Sequence, residues 1–272
     1  MLSGLFLRFL FSYAKIYSIK IPKSERRMTL STLKAILFDL DGTLLPLDND
    51  RFVEVYLGNL ARHSAAWGYD PTTIVKTIWK ATGAMVKNDG TQTNEQAFWA
   101  AFKALTPYMT SEEIDRTIPA FDAFYRDADG FHLAKAAARE NPMIRAVLAA
   151  AHRKAEKVIL ATNPIFPDSA VESRLSWIGL TPADFDDITT YTTCSFSKPN
   201  PKYFASILEK HGLQPEECLM VGNNVGEDIL PAASLGIPTL LVTDCLIYEK
   251  ELPLDGVRTC TFAELENIIE NL

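Results

Sequence analysis

The sequence is short of the features that mark extracellular, membrane or nucleic-acid work. Its four cysteines, Cys194, Cys218, Cys245 and Cys260, show no CxxC spacing and fall largely in apolar stretches. That pattern favours buried reduced thiols over zinc ligation or disulfides, and with them a cytoplasmic protein. A basic excess is missing too: 27 Lys and Arg against 34 Asp and Glu leave a formal charge of -7. Without a basic face to neutralise a phosphate backbone, nucleic acid is not an expected partner. An anionic ligand would depend on a few local groups instead. No uncharged run reaches the roughly 18–20 residues that span a bilayer. Residues 1–22 are rich in Leu, Phe and Tyr, but Arg8, Lys15 and Lys20 interrupt them, and no small-residue cleavage site follows. Internal repeats, low-complexity tracts and a dinucleotide glycine fingerprint are also lacking.

The first 33 residues therefore read as an extension. The preferred reading is a loose tail, or a true start at Met28, just before the first strand; the alternative is an interfacial amphipathic helix touching a membrane through residues 1–22.

What is present begins with size. With 272 residues, 47% hydrophobic and 22% charged, the chain can hold one ordinary domain plus an insert. It is organised around Phe38-Asp39-Leu40-Asp41-Gly42-Thr43, which follows the apolar run Ala35-Ile36-Leu37. Residues two apart on a strand point the same way, so Asp39 and Asp41 share one side at a strand end. Two carboxylates so placed repel unless a proton or cation lies between them, and a small hard cation such as Mg2+ is the natural partner. Gly42 permits a sharp turn that would leave amide N–H groups free to face an anion. Phosphoryl chemistry is the expectation.

An apolar strand running into Asp-x-Asp-Gly-Thr resembles the first motif of the haloacid dehalogenase-like hydrolase superfamily, and three later stretches fall in that family's order. Thr162-Asn163-Pro164, after the apolar strand 157–161, resembles the second motif, with a hydroxyl and amides suited to phosphate oxygens. Lys198-Pro199, opening a helix, resembles the third, whose lysine neutralises nucleophile and phosphate. Asn223-Asn224-Val225-Gly226-Glu227-Asp228 follows the strand 218–222 and resembles the fourth, commonly Gly-Asp, four residues, then Asp. Asp228 matches the second acid of that motif. Asn223 stands where the first would be, supplying an oxygen without the charge, and Glu227 is an added acid beside it.

Between the first two motifs, residues 48–140 show helical spacing throughout, with Asn49 or Asp50, Pro71, Thr93 or Asn94, and Ser111 as helix starts. By the resemblance this insert is an all-α cap of the C1 type, hinged near residues 46–48 and 127–131, over a core formed by residues 34–47 and 141–272. His132, near the second hinge, reads as a surface histidine. The expected fold is α/β, a doubly wound, mainly parallel Rossmann-like sheet with its site at the carboxyl ends of the strands.

The resemblance implies Mg2+-dependent hydrolysis of a small phosphomonoester through an aspartyl-phosphate. Asp39, Asp41 and Lys198 would be catalytic, with Asp39 the nucleophile and Asp41 the acid and base. Gly42, Thr43, Thr162, Asn163 and Lys198 would bind substrate, and Asp39, Asp41, Asn223 and Asp228 would serve the metal. Dehalogenation fits less well, because displacing halide from carbon gives Asp41 no proton to deliver. A sugar phosphomutase, or a non-catalytic binding protein on account of Asn223, are the alternatives.

Overall fold

The computed structural model describes residues 33–249, 252, 254 and 256–272, so both readings of the amino-terminal extension lie outside the described residues. Six parallel strands make one sheet in the order β3-β2-β1-β4-β5-β6: β1 (Ala35–Phe38), β2 (Lys157–Leu160), β3 (Asp187–Ile188), β4 (Cys218–Gly222), β5 (Thr239–Val242) and β6 (Arg258–Cys260). β1 is central, and its last residue, Phe38, lies opposite Leu160 on one side and Val221 on the other. The chain winds outward from β1 in both directions. The residues that follow β1, β2 and β4 therefore emerge side by side at the switch point, where such sheets place their sites.

The buried strands explain the apolar runs. Alternation splits each between two layers. Ile36, Phe38, Val158, Leu160, Leu219 and Val221 face one core, with the helices α5 (Ile144–Lys154), α6 (Asp168–Trp177) and α9 (Phe262–Glu270). Ala35, Leu37, Ile159, Ala161 and Met220 face the other, against Tyr203, Phe204 and Ile207 of α7 (Pro201–His211). A short helix, α8 (Leu230–Ser234), follows the fourth motif. All four cysteines are free, with Cys218 and Cys260 buried and the other two half-buried. No helix among the described residues is long and apolar enough to cross a membrane.

The insert is helical as its spacing predicts: α1 (Asn49–Ala66), α2 (Pro71–Val86), α3 (Asn94–Leu105) and α4 (Ser111–Arg126). Thr93 with Gln96, and Thr110 with Glu113, form capping boxes. The cap of α1 is Asp48, one residue before those expected, because its extended backbone aims the carboxylate at the Arg51 N–H, 3.0 Å away. The return crossing also differs from the expected hinge at residues 127–131. The Asp48 N–H donates to the Ala137 carbonyl at 3.0 Å and the Arg139 N–H to the Pro46 carbonyl at 2.9 Å, so the outgoing and returning segments are tied to each other. The residues between, Phe131–Ala137, wind into a 3-10 turn against α1.

One core runs from the sheet into the insert without a break. Phe102 is fully buried and meets Tyr69, Trp99 and Phe121 edge-on, with ring centroids 5.3 to 5.8 Å apart. Phe102→Ala should lower unfolding stability by about 3–5 kcal/mol. Urea titration measures it; a loss under about 1 kcal/mol would mean the insert contributes little to the cooperative core.

Candidate active site

Two strand ends converge on one ammonium group. Lys198 is fully buried, and its Nζ donates to Asp39 Oδ1 at 2.8 Å and to Asp228 Oδ1 at 2.6 Å. Burial alone would drive the proton off, but the charges of Asp228 and Asp39 outweigh it and hold the lysine above its ordinary range. Burial and the Asp39 charge press the Asp228 carboxyl upward, against the pull of Lys198. The other Asp228 oxygen accepts the Asn224 N–H at 2.9 Å. Gly222 is required beside it, since a Cβ there would fall 2.4 Å from the Asp228 side chain. Asp39 Oδ2 faces the Thr43 hydroxyl at a long 3.3 Å, and is thereby the less committed of the two Asp39 oxygens.

Asp39, Asp41, Thr162, Asn163, Asn223, Glu227 and Asp228 line one cleft of about 880 Å3, open mouth included, closed from above by α1. Of the residues singled out in the sequence, Lys198 sits just behind this lining. His132 is away from it, its Nδ1 accepting the Trp177 indole N–H at 3.1 Å. Gly42 and Thr43 depart from expectation. The Gly42 N–H donates to the Leu45 carbonyl at 2.7 Å and the Thr43 N–H to the Leu40 carbonyl at 3.1 Å, so neither amide is free for an anion. The turn satisfies its own donors. What Gly42 supplies is space: at φ +85° it packs on Asn223, and a Cβ would lie 2.1 Å from that side chain.

Asn223 is held at both ends. Its Oδ1 accepts from the Thr43 hydroxyl at 3.1 Å, and its Nδ2 donates to the Cys245 carbonyl at 2.7 Å. The carbonyl fixes which end of the amide is which. It also explains the departure from the acidic motif, since a carboxylate here would press an anionic oxygen against a carbonyl oxygen.

Arg174 is the residue that the sequence reading missed. It is fully buried on α6, bonded through Nη1 to Asp41 Oδ2, with its guanidinium 4.5 Å from the centre of the Phe166 ring. Its neighbours Val171 and Leu175 are buried on the same helix. A charged residue inside the 171, 175, 178 stripe was the available signal, because such a position demands a buried partner. Burial pushes the Asp41 carboxyl up, opposed by the Arg174 charge. Glu227, pushed up to about 7 by burial and then by the Asp228 charge, accepts from Asn163 Nδ2 at 3.0 Å.

The donors suit a hard cation. Every candidate is an oxygen, and two buried ones in the cleft, Asp41 Oδ1 and Asn163 Oδ1, have no hydrogen-bond partner. No ready-made group of three or more His, Cys, Asp and Glu ligands occurs among the described residues. An ion that uses one or two carboxylates and keeps several waters fits this arrangement better than one needing a protein cage.

Comparison with known proteins agrees with the geometry. The profile of the haloacid dehalogenase-like hydrolases matches residues 33–236. The chain is 28% identical over 217 residues to the phosphoglycolate phosphatase of Vibrio vulnificus, covering 79% of this chain and 86% of that one. It is 41% identical over only 58 residues to the glyceraldehyde 3-phosphate phosphatase of Methanothermobacter thermautotrophicus, 21% of this chain and 26% of that one. The 2-haloacid dehalogenase of Pseudomonas syringae pv. tomato shares the fold, with a TM-score of 0.55 at 16% identity over 88% of this chain and 99% of that one.

Two outcomes test this geometry. Asn223→Asp should lose about 1–3 kcal/mol of stability through the orphaned Cys245 carbonyl, by urea titration; an unchanged midpoint would show that the contact constrains nothing. The second concerns Glu227 in chelator-treated protein. A carboxyl raised from 4.5 to about 7 favours the folded state fully below pH 4.5, and that contribution is lost as pH rises through 7. Glu227→Gln should therefore gain on the natural protein between pH 5 and 8, by on the order of 1–2 kcal/mol after screening. Parallel stability curves for the two proteins would contradict it.

Proposed function

We propose that this chain, which belongs to the haloacid dehalogenase-like hydrolase family, is a phosphatase that hydrolyses a small phosphomonoester through an aspartyl-phosphate at Asp39. The observation that carries this reading is Lys198 clamped between Asp39 and Asp228 on the floor of a cleft. A buried carboxylate whose one oxygen is fixed by an ammonium presents the other along a defined line. The curated relatives named as phosphatases lend support.

Asp39 Oδ2 attacks phosphorus in line, and the bond from phosphorus to the ester oxygen breaks as Asp41 delivers a proton to the departing alcohol. Burial keeps the Asp41 carboxyl raised, which suits a proton donor. Asp41 then takes a proton from water as that water attacks the aspartyl-phosphate, releasing inorganic phosphate and restoring the Asp39 carboxylate. Lys198 and the Thr162 hydroxyl hold phosphoryl oxygens, and Asn163, tied to Glu227, borders them. Asp39, the Asp41 carbonyl, Asp228 and the Asn223 amide oxygen would hold Mg2+, which when bound offsets the charge gathered on the phosphoryl group. Residues 48–140 act as the cap that excludes water, on a core of residues 34–47 and 141–272. Four free cysteines suit a cytoplasmic setting.

Asp39→Asn should keep the fold and lose at least about a thousandfold in phosphate release, the scale on which removing a nucleophile acts. Mass spectrometry of acid-quenched natural protein should find a phosphoryl group on Asp39. Full activity in Asp39→Asn, or release unaffected by removing Mg2+, would overturn the mechanism.

A further inference from the structure

The cleft has two unlike halves. Its floor is acidic, with Asp39, Asp41, Glu227 and Asp228, while the wall opposite is made by Phe52, Val53, Tyr56 and Leu57 of α1 and by Ile165 and Phe166 after β2. Among the described residues no lysine or arginine lines it. The two cations nearest are both engaged, Lys198 with Asp39 and Asp228, and Arg174 with Asp41 beneath the Phe166 ring. The wall is short of polar tips as well. Tyr56 is turned so that its hydroxyl meets that of Tyr125 at 2.9 Å, which leaves Asn49 as the polar side chain on the α1 side. Beyond Tyr56, Leu57, Ile165 and Phe166, a second cavity continues between Trp99 and Phe121, again with no lysine or arginine among the described residues that line it.

Resting on the phosphatase reading above, we infer that the phosphomonoester taken by this site carries an apolar leaving alcohol, aryl or branched alkyl, seated on the Phe52, Leu57 and Phe166 wall. With the phosphoryl group at Asp39 and Lys198, the ester oxygen points the alcohol across the cleft toward that wall. A carboxylate there would lose its water against hydrocarbon and face four acids with no uncommitted cation among the described lining residues to answer it. A sugar would bring hydroxyls that the wall cannot satisfy. An apolar group loses little on leaving water and gains by covering the half-buried Ile165 and Phe166.

Benzyl phosphate and phosphoglycolate make a suitable pair, since both release a primary alcohol and differ in bearing a phenyl ring or a carboxylate. Methyl phosphate, with neither, is the reference. The ratio of kcat/KM for benzyl phosphate over phosphoglycolate should be at least about tenfold, given the apolar area covered. Ile165→Arg, at a half-buried position, should invert that preference by giving the carboxylate a partner. A ratio below ten in the natural protein overturns the inference while phosphate release still upholds the phosphatase. Release from none of the three overturns both.

Discussion

The arrangement turns on a single buried ammonium group. A parallel sheet wound outward from its central strand delivers the ends of β1 and β4 to one place, and here each end brings a carboxylate, Asp39 and Asp228. Two such charges in a site from which water is largely excluded would resist folding together. Lys198 answers both at 2.8 and 2.6 Å, and its own charge is secured by them in return. The same contacts fix the direction in which the less committed Asp39 oxygen faces. Folding and positioning are thus one electrostatic requirement.

Arg174 and Asp41 repeat the device one layer away. A fully buried arginine is costly unless paired, and replacing such pairs by apolar residues is often neutral or stabilising. Stability alone therefore does not account for the pair. Its geometry offers another account: Arg174 holds one Asp41 oxygen and leaves Oδ1 without a partner in the cleft. The proton donor and acceptor role proposed for Asp41 would be better served by one fixed and one open oxygen than by two satisfied ones.

Much of this was legible in the sequence, for identifiable reasons. The apolar runs at residues 35–38 and 218–222 are buried on both faces, so they carry a strong signal, and the helices of the insert announce themselves by periodicity and by Pro71 and Ser111 at their starts. The expected acids and Lys198 lie together because strand ends are few and those of a parallel sheet meet at one edge. What was not legible depends on long-range closure. That the Gly42 and Thr43 amides are consumed inside the turn follows from a backbone path that composition cannot show. Arg174 meets Asp41 across 133 residues. Asn223 looked like a weakened acid because its partner, the Cys245 carbonyl, lies 22 residues away in a loop without motif character.

That last contact changes how the fourth motif is understood. Read alone, an amide in place of a carboxylate suggests a site that has lost charge and with it function. In the structure the amide does what a carboxylate cannot: it accepts from Thr43 and donates to a carbonyl at once, locking the β1 turn, the end of β4 and the loop at Cys245 together. Gly42 packs against it closely enough that no side chain could replace the glycine hydrogen without displacing the amide. The missing charge is not replaced at the same atom, for Glu227 stands beside the site and its carboxyl is held up to about 7. The floor therefore gathers the carboxyl groups of Asp39, Asp41 and Asp228, with Glu227 beside them, around two cations, Lys198 and Arg174. Acids that outnumber the cations in this way suit the proposed divalent cation, which would offset them before an anionic phosphoryl group approaches.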